Sequence, residues 1–394
     1  MHLEAGNLMT SSVHFDNCFV DYTGHSATFA LALMQADSQL IVLSHQHCIV
    51  KDLRIVPTFS MTYGDARISM PNIAQGWQNK WLGLWRLVYA NAIYFQEVYR
   101  LRSSWHPSDG ESTVVTIANA ESRCIFAIAL LAVLYPQHRF VLYFQRSAQQ
   151  IFRVVGLLMR ICRIKNMWYI AETAEMAAEW TAVMGIACKT FPFPVSPSTP
   201  LPTASCSPAI LTFGILGPPR HEKGFDLVLQ AYQKLVAAGW GDRTRWIIQV
   251  APVWKESDVD SVVQAFKSSV DPQLHLLTHP LNHDEYSDLW TQIDVIILPY
   301  RQSAYNLRSS GVVIEAIANG KPVVVSTGTL LFKVAQAYGA VVEIVSEDAD
   351  GVTAALYKAV LDFEHLSETA IAAAHQWRWQ FSPAAFLQFI RSDH

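Results

Sequence analysis

Between Pro192 and Pro208 the chain reads PFPVSPSTPLPTASCSP, with six prolines and Ser and Thr between them. Proline locks φ and removes a backbone donor, so this stretch makes neither a helix nor a central strand. It reads as a linker, and it divides the 394 residues into nearly equal halves, each the size of one domain. A hydrophobic content of 51% excludes disorder, because that much apolar material has to be buried. Mean hydropathy is high at +0.18. Even so, the longest apolar run, Ile125 to Tyr135, falls short of the roughly 18 residues that a spanning helix needs. The opening MHLEAGNLMTSSVHFDNC has no basic region followed by an apolar stretch, so no secretory leader is expected. The expectation is a cytoplasmic two-domain protein with more apolar surface than usual.

Each half alternates strand and helix, the pattern of a parallel sheet covered on both faces. In the second half the strands are expected at 210–216, 245–250, 274–278, 295–298, 322–326 and 340–345. Helices are expected at 225–238, 257–267, 284–292, 312–319 and 330–338. In the first half strands are expected at 14–20, 39–43, 113–117, 140–144 and 167–170, with a long aperiodic stretch from Val50 to Asn79 that reads as a functional loop. The fold class is α/β, with two Rossmann-like, doubly wound domains facing a central cleft. Ligands of such sheets bind beyond the carboxyl ends of the strands, so the loops after strands carry the chemistry.

Net charge is −4, which leaves no electrostatic footprint for nucleic acid. The six cysteines are dispersed without a CxxC, and read as buried free thiols. After the strand at 210–216 comes Gly214-Ile-Leu-Gly-Pro-Pro-Arg-His-Glu-Lys-Gly-Phe225. It offers glycine freedom, the cations Arg220 and Lys223, and a helix start. That combination suits a diphosphate, although the same loop also reads as a solvated turn. After DVIILPY, the residues Ser309, Ser310, Gly311 and Val312 lead into a helix whose first N–H groups form a second anion cradle. Glu315 is expected in the first turn, where a carboxylate either accepts from two ribose hydroxyls or simply offsets the helix dipole.

GPPRHEKGFDLVLQAY, IDVIILPY and SSGVVIEAIANGKPVVVS together resemble the retaining nucleotide-sugar glycosyltransferases of family 4 (glycosyl transferases group 1), which have the GT-B fold. The likeness runs over residues 210–390 and includes WRWQFSPAAFLQFI, similar to the family's closing helix. The first half agrees in layout, with Gly24-His25 after the first strand and IAETAEMAAEW near the crossover. The resemblance implies an acceptor domain over 1–195, a linker at 196–208, a donor domain over 209–380, and a helix at 381–394 returning to the first domain. It implies a nucleoside diphosphate sugar, of UDP or GDP type, as substrate, with no separate cofactor. Arg220 and Lys223 would grip the diphosphate, joined by Gly24, Ser309, Ser310, Gly311 and Val312. Glu315 would hold the ribose, and the backbone around His279 and Leu281 would face the base. Many members carry a further glutamate eight positions before the ribose glutamate, near the sugar. Here that position is Leu307, with Asn306 and Arg308 beside it.

The reaction needs a departing diphosphate and an oxocarbenium-like centre stabilised. First-domain candidates for catalysis are His25, Asn119 and Glu121, with Gln145 and Arg146 after FVLYF also directed to the cleft; each reads equally as a loop polar residue or cap. No metal site is expected. Asp258-Val-Asp260 opens a surface helix, and His45 and His47 lack a third ligand. Two basic apolar stretches stand out, Trp77–Tyr89 and Ile151–Ile164, as peripheral membrane contacts or as core helices with snorkelling arginines. The acceptor is a glycan, a lipid-linked sugar or another group, and polysaccharide biosynthesis is the expected setting. Two alternatives remain open: a non-catalytic relative acting as a binding subunit, motivated by Leu307, and a sugar-nucleotide epimerase of the same fold.

Overall fold

A computed structural model describes residues 11–20, 24–61, 77–105, 112–118, 120–148, 152–197, 200–201, 208–251, 259–269, 271–279 and 281–392. The chain divides into two compact units, Met1–Pro194 with Pro383–His394, and Val195–Ser382.

The first unit holds strands β1 (Ser11–Phe15), β2 (Ile41–His45), β3 (Ile55–Phe59), β4 (Thr113–Ile117), β5 (Arg139–Phe144), β6 (Met167–Ala171) and β7 (Lys189–Thr190). Its helices are α1 (Gly24–Ala36), α2 (Trp77–Arg100), α3 (Arg102–Trp105), α4 (Ser122–Leu134), α5 (Phe152–Ile161) and α6 (Ala174–Met184). The strands form one parallel sheet in the order β3-β2-β1-β4-β5-β6-β7. All five residues of β4 are buried, as befits a strand covered on both faces. The winding reverses between β1 and β4, so the loops after these two strands flank the switch point. Helices α2, α4, α5 and α6 lie side by side, each packed against the next.

The second unit holds β8 (Leu211–Ile215), β9 (Thr244–Gln249), β10 (Leu274–Leu277), β11 (Val295–Leu298), β12 (Val323–Ser326) and β13 (Val341–Ile344). Its helices are α7 (Phe225–Ala237), α8 (Asp260–Ser268), α9 (His283–Gln292), α10 (Gln302–Tyr305), α11 (Gly311–Ala318), α12 (Leu330–Tyr338), α13 (Ala349–Leu361) and α14 (Phe363–Gln380). The parallel order is β10-β9-β8-β11-β12-β13, with the switch point between β8 and β11. Every residue of α11 is buried, so this helix runs through the core rather than over it.

The last helix, α15 (Pro383–Arg391), belongs to the first unit. Phe386 packs its ring against Phe29, Tyr143 and Phe191, at centroid distances of 5.6, 5.8 and 5.2 Å. Arg139 donates to the carbonyls of Ile390 and Ser392 at 2.8 and 2.7 Å. Arg391 donates to the Ser12 hydroxyl and pairs with Asp37.

Several local expectations need correction. The first strand ends at Phe15 instead of running to Val20, because the Asp16 carboxylate accepts from the Cys18 N–H at 2.9 Å and turns the chain. The aperiodic stretch from Val50 contains the edge strand β3, whose Pro57 disguised it; residues 62–76 lie outside the described set. The residues WRWQ close α14 in the second unit, and only the chain from Pro383 enters the first. Of the five described cysteines, all free, only Cys124 is buried, and Cys162 is exposed.

Candidate functional site

Two loops meet at the carboxyl ends of β8 and β11. After β8 the chain passes Gly217, two prolines and Arg220, then one turn of 3-10 helix, His221–Lys223, and Gly224. Gly224 has φ +65°, and a Cβ there would lie 2.0 Å from the Pro299 carbonyl oxygen, so only glycine lets the loops touch. Gly217, at φ +96°, leaves room for Lys223, whose Nζ would be 2.7 Å from a Cβ at that position.

The loops are also joined by charge. Glu222 Oε1 accepts from Arg220 at 3.3 Å and from Arg308 at 2.9 Å. Arg301 donates its backbone N–H to the Glu222 carbonyl at 2.9 Å, while its guanidinium pairs with Asp226 at 2.7 Å. Lys223 Nζ stands 5.4 Å from the centre of the Tyr300 ring. The result is two arginines, Arg220 and Arg308, bonded to one carboxylate, with the desolvated Lys223 amine close enough to feel all three charges. Burial first, then Arg220 and Arg308, pull the Lys223 pKa down to about 7, with Glu222 opposing. The buried Arg220 Nε has no hydrogen-bond partner among the described residues. A cluster of this kind is under-neutralised and geometrically braced, which is what an incoming dianion requires.

Ser310 stands at the N-cap of α11 in extended conformation, and its own side chain makes no capping hydrogen bond. The N–H groups of a helix's first turn have no carbonyl four residues back, and of these Val313 bonds to the Ser310 carbonyl at 3.2 Å. The helix begins at Gly311, so Glu315 lies one turn in rather than in the first turn, and dipole compensation no longer explains it. Glu315 is buried, and the Tyr286 hydroxyl of α9 donates to its Oε2. Burial pushes its pKa up to about 7, against the lowering effect of that hydrogen bond. Leu281 is buried; His279 is exposed and pairs with Glu285 at 3.5 Å. Asn306 is exposed, Leu307 half-buried, and Arg308 belongs to the cationic cluster. Three partners escaped the sequence reading: Glu222, Tyr286 and Tyr300. Glu222 was visible only as an acid between two cations, and nothing local ties Tyr286 to Glu315.

In the first unit, Glu121 is buried at the N-cap of α4. Arg123 and Arg146 reach it at 3.2 and 3.3 Å. Desolvation raises its pKa, and the two arginines pull the other way. It lines a shallow pocket with Ala120, Phe144, Gln145, Arg146 and Trp180, beyond the ends of β4 and β5. Gly24 opens α1; the His25 side chain and all of Asn119 lie outside the described residues, as does Asp258. His14 and Asp16, both fully buried, stand 3.8 Å apart at the end of β1. His45 ends β2 and His47 follows in a turn, their rings 5.3 Å apart. Among the described residues no group of three His, Cys, Asp or Glu could hold a metal ion, and no helix is long and apolar enough to cross a membrane.

Residues 207–362, which contain the whole cationic cluster and Glu315, match the family model Glycosyl transferases group 1. The chain is also similar to solved structures along nearly its full length. One is an alpha,alpha-trehalose-phosphate synthase (UDP-forming) from Burkholderia vietnamiensis, at 10% identity and TM-score 0.67, covering 98% of this chain and 99% of that one. A second is a sucrose-phosphate synthase from Thermosynechococcus elongatus, at 11% identity and TM-score 0.65, covering 96% and 97%. A third is Anabaena HepE in complex with UDP-glucose, at 12% identity and TM-score 0.60, covering 96% and 98%. The fold is GT-B. No curated protein matches the sequence.

Proposed function

We propose that this protein is a glycosyltransferase that moves a sugar from a nucleoside diphosphate, of UDP or GDP type, to an acceptor held by the first unit. The observation that carries the reading is the cluster of three cations at the β8/β11 switch point, Arg220 and Arg308 paired to the single carboxylate of Glu222 and the desolvated Lys223 amine beside them. In this reading the diphosphate takes the place of the missing counter-charge. Lys223 and Arg220 bind its oxygens, and the amides of Ser310, Gly311 and Val312 add donors from α11. Glu315 accepts from the ribose hydroxyls, oriented by Tyr286, and the base lies over the backbone near Leu281.

The cations act most strongly as the bond to the sugar breaks, because charge builds on the diphosphate then, and preorganised donors stabilise that charge without further rearrangement. Glu121 and Arg146 line the first unit's pocket and would contact the acceptor. Retention of configuration comes from the family resemblance, and NMR of the product anomer checks it.

A thermal-shift screen with UDP-, GDP-, ADP- and CMP-sugars selects the donor, since binding to the folded state raises its stability. Lys223→Ala and Glu315→Ala are each expected to weaken that donor about tenfold or more, as loss of a charged hydrogen bond does. Unchanged affinity in both variants would sink the assignment. Leu307 favours a second reading, a binding subunit that holds the nucleotide without turning it over. Donor binding with neither transfer nor hydrolysis by the purified protein would support it, whereas interconversion of the donor sugar without acceptor would identify an epimerase.

A further inference from the structure

Helix α5 carries two apolar stripes where a helix over a sheet needs one. Phe152, Val155, Gly156 and Met159 form the buried stripe. A Cβ at Gly156 would fall 1.9 Å from the Met184 carbonyl oxygen, so close contact with the end of α6 fixes which way α5 faces. The second stripe, Val154, Leu157, Leu158 and Ile161, has the same spacing and points outward. Leu157 is 51% exposed and Ile161 67%. The neighbouring helix α4 adds Leu130, Val133 and Leu134 to the outward apolar surface, Val133 being 54% exposed.

The charge along the segment that carries α4 and α5 has one sign, and the acids flanking it include Glu121, paired with Arg123 and Arg146, and Glu175 and Glu179 of α6. From Ser122 to Ala171 there is no Asp or Glu, while Arg123, Arg139, Arg146, Arg153, Arg160, Arg163 and Lys165 are present. Arg153, Arg160, Arg163 and Lys165 are exposed along and just beyond α5. Arg163 has φ +52°, which no other described non-glycine residue shares. The Ile164 N–H returns to the Met159 carbonyl at 3.1 Å, so Arg163 occupies the left-handed closing position of the helix, where glycine is the unstrained choice. A cation is kept there despite the strain.

We propose that the α4–α5 face docks on the surface of an anionic lipid bilayer, with α5 lying in the interfacial plane. Val154, Leu157, Leu158 and Ile161 enter the acyl boundary, and the arginines extend to the headgroups. The charge complementarity selects anionic lipid over a neutral surface. The inference stands apart from the donor chemistry, because it uses none of the residues at the β8/β11 loops.

Flotation of the full chain with vesicles tests it. Phosphatidylcholine vesicles containing phosphatidylglycerol should carry the protein, and phosphatidylcholine alone should not. Arg153→Gln and Lys165→Gln should each weaken the association about fivefold, the effect of one cation near such a surface. Leu157→Glu with Ile161→Glu, both at exposed positions, should abolish flotation with the melting temperature kept. Arg163→Gly should float less yet melt higher, a divergence that a purely structural role would not produce. The proposal is overturned if the wild-type chain ignores anionic vesicles, or if the Leu157/Ile161 double variant floats like wild type. It is also overturned if sedimentation shows the face pairing two copies of the chain in place of lipid binding.

Discussion

Raising the pH through 7 should weaken donor binding in a way that traces to Lys223. Burial and the neighbouring Arg220 and Arg308 hold its pKa at about 7, so above that pH the free protein has released the proton that a diphosphate needs to find there. Binding then has to restore it. The Lys223 contribution should be level below pH 7 and should make affinity fall toward tenfold per unit above it, or about 1.4 kcal/mol per pH unit. A nucleotide sugar suits the assay because both its phosphates are esterified and neither titrates in this range.

Glu315 titrates in the same window with the opposite consequence, since its carboxylate forms as the pH rises through about 7. The measurement is therefore made in a Glu315→Gln background as well as in wild type. Calorimetry in two buffers of different ionisation enthalpy should show uptake approaching one proton per donor bound above pH 7. Lys223→Met should remove both the uptake and the slope. For the free protein the sign reverses: between about pH 7 and about pH 10.5 the folded state holds fewer protons on Lys223 than the unfolded chain does. Stability from this residue thus rises with pH across that window, and Lys223→Met should flatten the rise. Flat wild-type affinity above pH 7, or the same slope in Lys223→Met, would refute the reasoning.

Gly224→Ala sets a Cβ against the Pro299 carbonyl at a positive φ, and should cost roughly 2 kcal/mol or more in urea unfolding. Tyr286→Phe leaves Glu315 buried without its hydroxyl donor, so the midpoint of the Glu315-dependent branch of the binding profile should move above pH 7; an unmoved midpoint contradicts the orienting role. Phe386→Ala removes a fully buried ring shared by α1, β5 and α15, and should destabilise the protein by about 3–5 kcal/mol in denaturant melts.

The second unit was nearly legible from sequence, and in the first the strands at 113–117, 140–144 and 167–170 lie where the pattern places them, while β1 and β3 do not. Runs such as VIIL and VVVS, bounded by Gly, Pro and Ser, mark strands covered on both faces, and they lie where the pattern places them. Strand β3 was hidden by Pro57, which an edge position tolerates, and β1 was misplaced because Phe19 is buried from within a loop. The glycines at 217 and 224 announced a tight loop. That Gly224 is pressed against Pro299 follows only when β8 and β11 become neighbours.

The sequence by itself determined the alternating α/β plan and the cations and amides available beyond the strands, because these rest on local periodicity and backbone chemistry. Tertiary structure decided how those groups behave. Arg220 and Arg308 are 88 residues apart and reach one carboxylate. Lys223 is half-neutral near pH 7, Glu315 is held by a tyrosine from another helix, and the second stripe of α5 faces outward instead of into the core. Desolvation and charge proximity arise from which segments the fold brings together, and spacing along the chain does not encode them.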